Sequence, residues 1–383
     1  MFGESTYPAG MRIFDGDWDG GGVFVREGKR RGRGAVTNAS GRFEAEQRCA
    51  FDDGWDLPEE EDEAPLKTQV FTEYPRRIIT TNASPDIPFE QSINPYRGCE
   101  HGCIYCFARP THAFHGLSPG LDFETRIFAK PDAARLLARE LRDPKYKPRT
   151  IAMGTNTDPY QPAEKEQRVM RQILEVLEAF SHPVTVLTKS SLILRDVDIL
   201  SRMAKRNLAA VALSVTSLDH RLSRKMEPRA ASPKRRLMTL KALAEAGLRP
   251  GVMVAPVIPA INDHEIERIL EAIHAHGARR AAFIFLRLPH EIKDLFHEWL
   301  EENFPDRKNR VLNHIRAMKG GRYNRPGFHA RFKNDGAYAD AIKKRFASAC
   351  KKLDLNKEKV SLTRALFKPP PFKGEQFDLF KSS

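Results

Sequence analysis

The chain has 383 residues, 41% of them hydrophobic, and a formal net charge of +13. That is long for one compact domain and suits one large α/β core with extensions. Apolar runs such as "VMVAPVIPAI" and "AAFIFL" are too short to span a bilayer. The acidic beginning "MFGESTYPAGMRIFDGDWDG" has no cationic start leading into an apolar core, so no secretory signal is expected and a cytoplasmic location is. Five cysteines in such a length argue against a disulfide framework. The positive charge favours a polyanionic partner, as a property of the whole field.

In chain order, residues 1–65 read as a mostly disordered tail. They hold a glycine-rich stretch, the basic run "REGKRRGRG" and the acidic "LPEEEDEAP", with few apolar residues at regular spacing. The basic run is expected either to be solvated or to lie along a phosphate backbone. Residues 66–290 alternate apolar, β-branched runs with helical patterns. Strands are expected at 91–94, 150–154, 184–189, 209–215, 249–257 and 281–288. A helix is expected over 164–180, with Val169, Ile173, Leu177 and Phe180 on one face. Others are expected over 233–247, stopped by Gly247, and 261–277, capped by Asn262 or Asp263 and stopped by Gly277. Such alternation implies parallel strands with right-handed crossovers, and six units suit a partial (β/α)6 barrel better than a complete eightfold one. Residues 291–367 read as a helical, basic C-terminal extension, and 368–383, with three consecutive prolines, as a flexible tail.

One stretch carries the chemistry: "INPYRGCEHGCIYCFARPTHAFHG", residues 93–116, with Cys99, Cys103 and Cys106. It follows the first expected strand, at the end where βα folds collect ligands. Gly98 and Gly102 would let the backbone wrap closely. A zinc site closes with four ligands, and His101, His112 or His115 could supply the fourth. A cubane iron–sulfur cluster held by three thiolates leaves one iron open to bind something else. Both readings stand on the residues alone.

The C-x3-C-x2-C spacing, with Tyr105 before the last cysteine, resembles the radical S-adenosylmethionine (SAM) enzymes. "SINPYRGCEHGCIYCFARP", "GTNTDPYQPAE", "LTKSSLILRD" and "MVAPVIPAIND" resemble the spore photoproduct lyase-like branch, often labelled DNA repair photolyase. With "GRGA…RFE…DDGWD" at 32–56, the likeness points to a bacterial subgroup within it. It implies a radical SAM partial barrel in which Cys99, Cys103 and Cys106 hold a [4Fe–4S] cluster whose open iron chelates SAM. An external electron donor would drive cleavage to a 5′-deoxyadenosyl radical that abstracts hydrogen from a substrate. It also implies that Tyr105 packs near the adenine, that Thr155 and Thr157 meet the methionine end and that Lys189 meets the SAM carboxylate. Ser214 and Thr216 become candidates for the ribose, while Glu227, Arg229 and Arg236 could bind SAM or substrate. Arg195 and Asp196 read instead as a structural pair.

One departure matters. The likeness calls for a hydrogen-donor cysteine in the segment that here reads "GTNTDPY", where Thr155 and Asn156 stand instead. Dimer reversal of the spore type is therefore not expected; Tyr96, Tyr105, Tyr160 or a lone cysteine could donate. Near the C-terminus, Gln376, Phe377, Leu379 and Phe380 resemble a sliding-clamp-binding peptide. Nucleic acid is the preferred substrate class. The rivals are a radical SAM enzyme acting on a protein or small molecule, and a non-catalytic, zinc-bearing nucleic-acid-binding module.

Overall fold

The computed structural model describes residues 32–44, 66–358 and 360–371. Among the described residues ten strands form: β1 (Gln69–Thr72), β2 (Ile79–Thr81), β3 (Gln91–Ile93), β4 (Tyr96–Arg97), β5 (Arg126–Ala129), β6 (Ile151–Met153), β7 (Val184–Thr188), β8 (Ala209–Ser214), β9 (Gly251–Val257) and β10 (Arg280–Phe285). A seven-stranded sheet has the order β10–β9–β8–β7–β6–β3–β2. Its six strands from β3 to β10 are parallel neighbours, and β2 joins β3 antiparallel at the edge. This is the expected six-unit partial barrel, with all six expected strands formed. A second sheet, β1–β5–β4, was not foreseen.

The helices bury the faces that their spacing assigns. Val169, Ile173 and Leu177 pack inward from Val169–Ala179, with Phe180 just beyond. The single helix expected over 164–180 is interrupted: Glu164–Gln167 ends at Arg168, which adopts φ +49°. The Glu164 carboxylate spans the break by accepting from Met170 N at 3.1 Å, as a cap would. The helix Pro233–Glu245 starts on Ser232, whose hydroxyl accepts from Arg235 N, and is followed by Gly247 at φ +83°. Asn262 does not cap the next helix as expected. Its side chain joins Ile258 N, Thr216 O and Pro256 O at 2.7–3.0 Å, and Asp263 takes the Tyr338 hydroxyl. Gly277, at φ +91°, follows Ile266–Ala275.

The C-terminal extension holds helices Ile292–Asn303, Pro305–Met318 and Ala337–Lys352. The last one packs Phe346 on Phe283 of β10, ring centroids 4.6 Å apart. Beyond it the chain returns across the barrel's base, where Lys368 N donates to Phe180 O at 3.0 Å. The start of the expected flexible tail is thus pinned.

Residues 32–44, inside the expected disordered tail, also pack. Arg33 is buried, donating to Glu124 O at 3.0 Å and to Thr68 Oγ1 at 3.1 Å, so this arginine of the basic run faces protein, not solvent or phosphate. The remainder of 1–65, Cys49, and Gln376, Phe377, Leu379 and Phe380 lie outside the described residues. Among the described residues no helix is long and apolar enough to cross a membrane.

Candidate active site

The three cysteines lie in the loop that leaves β3 and β4, at the C-terminal ends of the parallel strands. All three are free thiols, Cys99 and Cys103 buried and Cys106 half-buried. Two glycines shape the loop. Gly98 (φ +74°) and Gly102 (φ +66°) adopt the left-handed region, and a Cβ would come to 2.9 Å from Phe123 O at the first and 2.7 Å from Glu124 Oε2 at the second. Neither position admits a side chain without rebuilding the loop.

Buried partners clamp the loop from beneath. Thr157 donates to Gly98 O at 2.6 Å, and Gln161 donates to the same oxygen at 3.2 Å while accepting from Glu100 N at 2.9 Å. Arg109 donates through Nε to Cys103 O at 2.9 Å, through one Nη to Pro119 O and Gly120 O, and through the other to Glu124 at 2.5 Å. Glu124 also accepts from Gly34 N (2.9 Å) and Ala35 N (2.8 Å). Gly34 lies so close that a Cβ there would stand 1.8 Å from Gly102 O. Arg109, Glu124 and Gln161 did not stand out from the sequence: Glu124 and Gln161 meet partners remote in the chain, and Arg109 gathers its own from an irregular loop.

Burial pushes the Cys103 thiol up to about 12 and raises Cys99 and Cys106 as well. Bare thiolates are therefore disfavoured here, and iron is the kind of counter-charge that deprotonates a coordinating thiol. Three soft donors on a tightly wound, water-poor loop fit a cubane cluster. The histidines considered for a fourth zinc ligand have other neighbours, although Nδ1 of His101 and of His112 is buried without a hydrogen-bond partner. His101 Nδ1 lies 3.3 Å from Asp158, His112 Nε2 lies 3.0 Å from Arg126 O, and His115 packs on Phe128. Among the described residues no three His, Cys, Asp or Glu side chains converge as one metal ion would require.

The neighbouring strand ends bring the other candidates to the same side. Lys189, just past β7, holds its ammonium 5.7 Å above the Tyr105 ring. Burial opposes its charge, but Cys103, Glu227 and Asp158 carry it above its ordinary value. Asp158 accepts from Thr188 Oγ1 at 2.6 Å and Lys189 N at 2.8 Å, fixing that turn. Burial works against the Glu227 charge too, yet Arg236 and Lys189 hold its carboxyl at about 2. Glu227 accepts from the Tyr105 hydroxyl, Thr216 Oγ1 and Arg236, and Arg236 reaches Ser214 O at 3.0 Å. Arg229 pairs with Glu100 at 3.1 Å. Thr155 donates to Asn94 Oδ1 at 3.2 Å, which also accepts from Asn156 N. Thr157 spends its hydroxyl on the cysteine loop, while Ser214 is buried at the end of β8. Arg195 and Asp196 pair at 2.8 Å, as expected. Tyr96 and Tyr160 are buried with their hydroxyls on Glu164 and Asp196.

Residues 93–273 match the model of the Radical SAM superfamily. An uncharacterised protein of Mycobacterium tuberculosis is 39% identical over 222 residues, covering 57% of this chain and 65% of that one. An uncharacterised protein of Methanocaldococcus jannaschii is 27% identical over 222 residues, 58% of this chain and 79% of the relative. The chain thus spans just under two thirds of the mycobacterial relative. Spore photoproduct lyase complexed with dinucleoside spore photoproduct superposes with a TM-score of 0.54 at 15% identity, over 74% of this chain and 79% of that one, which is a likeness of fold. Cysteine loop, sheet order and family match agree: over residues 93–273 the chain is similar to the radical SAM superfamily.

Proposed function

We propose that this chain is a radical SAM enzyme that abstracts hydrogen from a nucleic-acid substrate held at the mouth of the partial barrel. The observation that carries the reading is the clamped loop with three free cysteines, on the same strand ends as Lys189 and Ser214. Cys99, Cys103 and Cys106 would hold a [4Fe–4S] cluster, which when bound would relay one electron to SAM, giving methionine and a 5′-deoxyadenosyl radical. Lys189, kept charged by its acidic neighbours, holds the SAM carboxylate. Tyr105, tied down by Glu227, offers a fixed ring beside the adenine. Thr155 meets the methionine end and Ser214 the ribose. Thr157 acts through Gly98, as a positioning residue. An external donor provides the electron.

Two observations support the substrate class: the net charge of +13 and the shared fold with a lyase complexed to a dinucleoside photoproduct. Thr155 and Asn156 offer no thiol for hydrogen return, so the proposed reaction is not reversal of the spore dimer.

The test is anaerobic reconstitution with iron and sulfide, then dithionite and SAM, with 5′-deoxyadenosine as readout. A triple variant with alanine at Cys99, Cys103 and Cys106 serves as control. Product from the wild type alone supports the chemistry. A colourless protein with stoichiometric zinc would overturn it in favour of the zinc-bearing module. Turnover chemistry without any oligonucleotide binding would favour a protein or small-molecule substrate.

A further inference from the structure

The chain leaves β10 through Arg287, whose neighbours Leu286 and Leu288 belong to the same buried cluster as Cys103 and Tyr105. Against it packs the segment 319–335, "KGGRYNRPGFHARFKND", which contains five Lys and Arg and no acid before Asp335. Lys319 is 1% exposed, and among the described residues its Nζ is buried with no hydrogen-bond partner. Arg287 Nε is likewise buried and unpartnered. The acids at hand are already taken. Asp335 holds Arg325 at 2.8 Å, and Asp86 holds Arg331 through both oxygens. Arg325 also closes on Lys319 O at 3.0 Å.

Two cations thus stand close enough to repel, Lys319 buried and Arg287 half-buried, and the carboxylates near them, Asp335 and Asp86, are each hydrogen-bonded to another arginine. Burial lowers Lys319 to about 8, and repulsion from Arg287 and Arg325 adds to it. Buried, unpaired charge is costly and is retained where an opposite charge arrives to use it. Around the pair stand aromatic rings: Phe332, with Arg287 at 4.7 Å and Arg331 at 5.3 Å from its centroid, and Phe328, which is exposed. Cations interleaved with aromatic faces suit a single strand, phosphate on the cations and base on a ring.

We propose that Lys319 and Arg287 form a phosphate-oxyanion site, filled by a phosphodiester of the substrate strand while an adjacent base stacks on Phe328. The phosphate chemistry stands on these residues alone; its assignment to a nucleic-acid strand rests on the function proposed above.

The test uses the full chain and two probes. First, thermal unfolding is followed in inorganic phosphate against chloride at equal ionic strength. Wild type should gain several degrees in phosphate, because a ligand of the folded state alone stabilises it. Lys319→Met should start higher without phosphate, having lost an unpaired buried charge, and gain nothing from it. Second, a labelled single-stranded 12-mer is titrated at several salt concentrations. The variant should bind at least ~10-fold more weakly, with a log–log salt slope shallower by about 0.7 for each phosphate it no longer neutralises. An equal phosphate response in both proteins, or none in wild type, overturns the site. A Lys319-dependent phosphate response with no 12-mer binding by wild type keeps the site for free phosphate and sinks the nucleic-acid reading.

Discussion

Arg109 and Glu124, neither with any exposed side-chain surface, meet at 2.5 Å directly beneath the cysteine loop. The pair is buried but fully used: Arg109 spends its other donors on Cys103 O, Pro119 O and Gly120 O, and Glu124 takes two more backbone N–H groups. Such a pair fixes geometry more than it adds stability, and breaking one side leaves a stranded charge. Glu124→Ala should therefore cost about 3–5 kcal/mol of folding stability. Urea unfolding of the wild type and variant checks this; a loss below about 1 kcal/mol would mean that water replaces the carboxylate.

Thr157 touches the cysteines only through Gly98 O. Thr157→Val keeps the shape and removes the hydroxyl, leaving a carbonyl that Gln161 alone still meets. The hydroxyl also accepts from Gln161 Nε2 at 3.1 Å, so two neutral hydrogen bonds go and the expected cost is about 2 kcal/mol. Reconstituted iron content should fall in the valine variant and return in Thr157→Ser. Equal iron in all three would show that the loop holds its form without this brace.

Lys189 bears on the SAM assignment. Lys189→Met should still fold and take up iron, at some cost in stability because buried Glu227 keeps Arg236 as its partner but loses the second cation beside it. The SAM concentration for half-maximal 5′-deoxyadenosine formation should rise about tenfold or more, the worth of a charge-assisted hydrogen bond. An unchanged SAM dependence would move the carboxylate's partner elsewhere, with Arg229 the next cation to test.

His182 gives a pH prediction away from the cysteines. It is buried, with Nε2 2.7 Å from the Tyr146 hydroxyl and Nδ1 3.1 Å from Pro183 O. Burial lowers it to about 4, from an ordinary 6.5. The unfolded chain therefore takes up a proton that the folded one refuses. Its contribution is whole above pH 6.5 and is lost as pH falls towards 4, by at most about 1.4 kcal/mol per unit. His182→Asn should flatten that part of the stability profile measured by urea unfolding between pH 7 and 4. The same slope in wild type and variant would assign it to other groups.

Much of the fold was legible because its signals are local. Each of the six parallel strands is a short β-branched or apolar run, and each crossover helix repeats its apolar residues at helical spacing. The cysteines announce themselves by spacing. What stayed hidden depends on partners remote in sequence: Glu124 meets residues about 90 positions away, and Arg33 looks like part of a solvated charge block until Glu124 and Thr68 are beside it. Strands β1, β2, β4 and β5 span two to four residues, as do β3 and β6, but β1 and β2 are largely exposed and show no buried face to set a pattern. The break at Arg168 is a left-handed turn at a residue type that does not advertise one.

The close approach of Gly34 to the backbone of Gly102 means that the unit able to fold is longer than the matched region 93–273. A fragment trimmed to that region would lose the two N–H groups that Glu124 accepts and uncover the underside of the cysteine loop. Solubility screens of trimmed versions would then report on a missing wall, not on the catalytic domain itself. Any hybrid that grafts this barrel onto another protein has to carry residues 32–44 along with it, as an inner lining supplied from outside the recognisable domain.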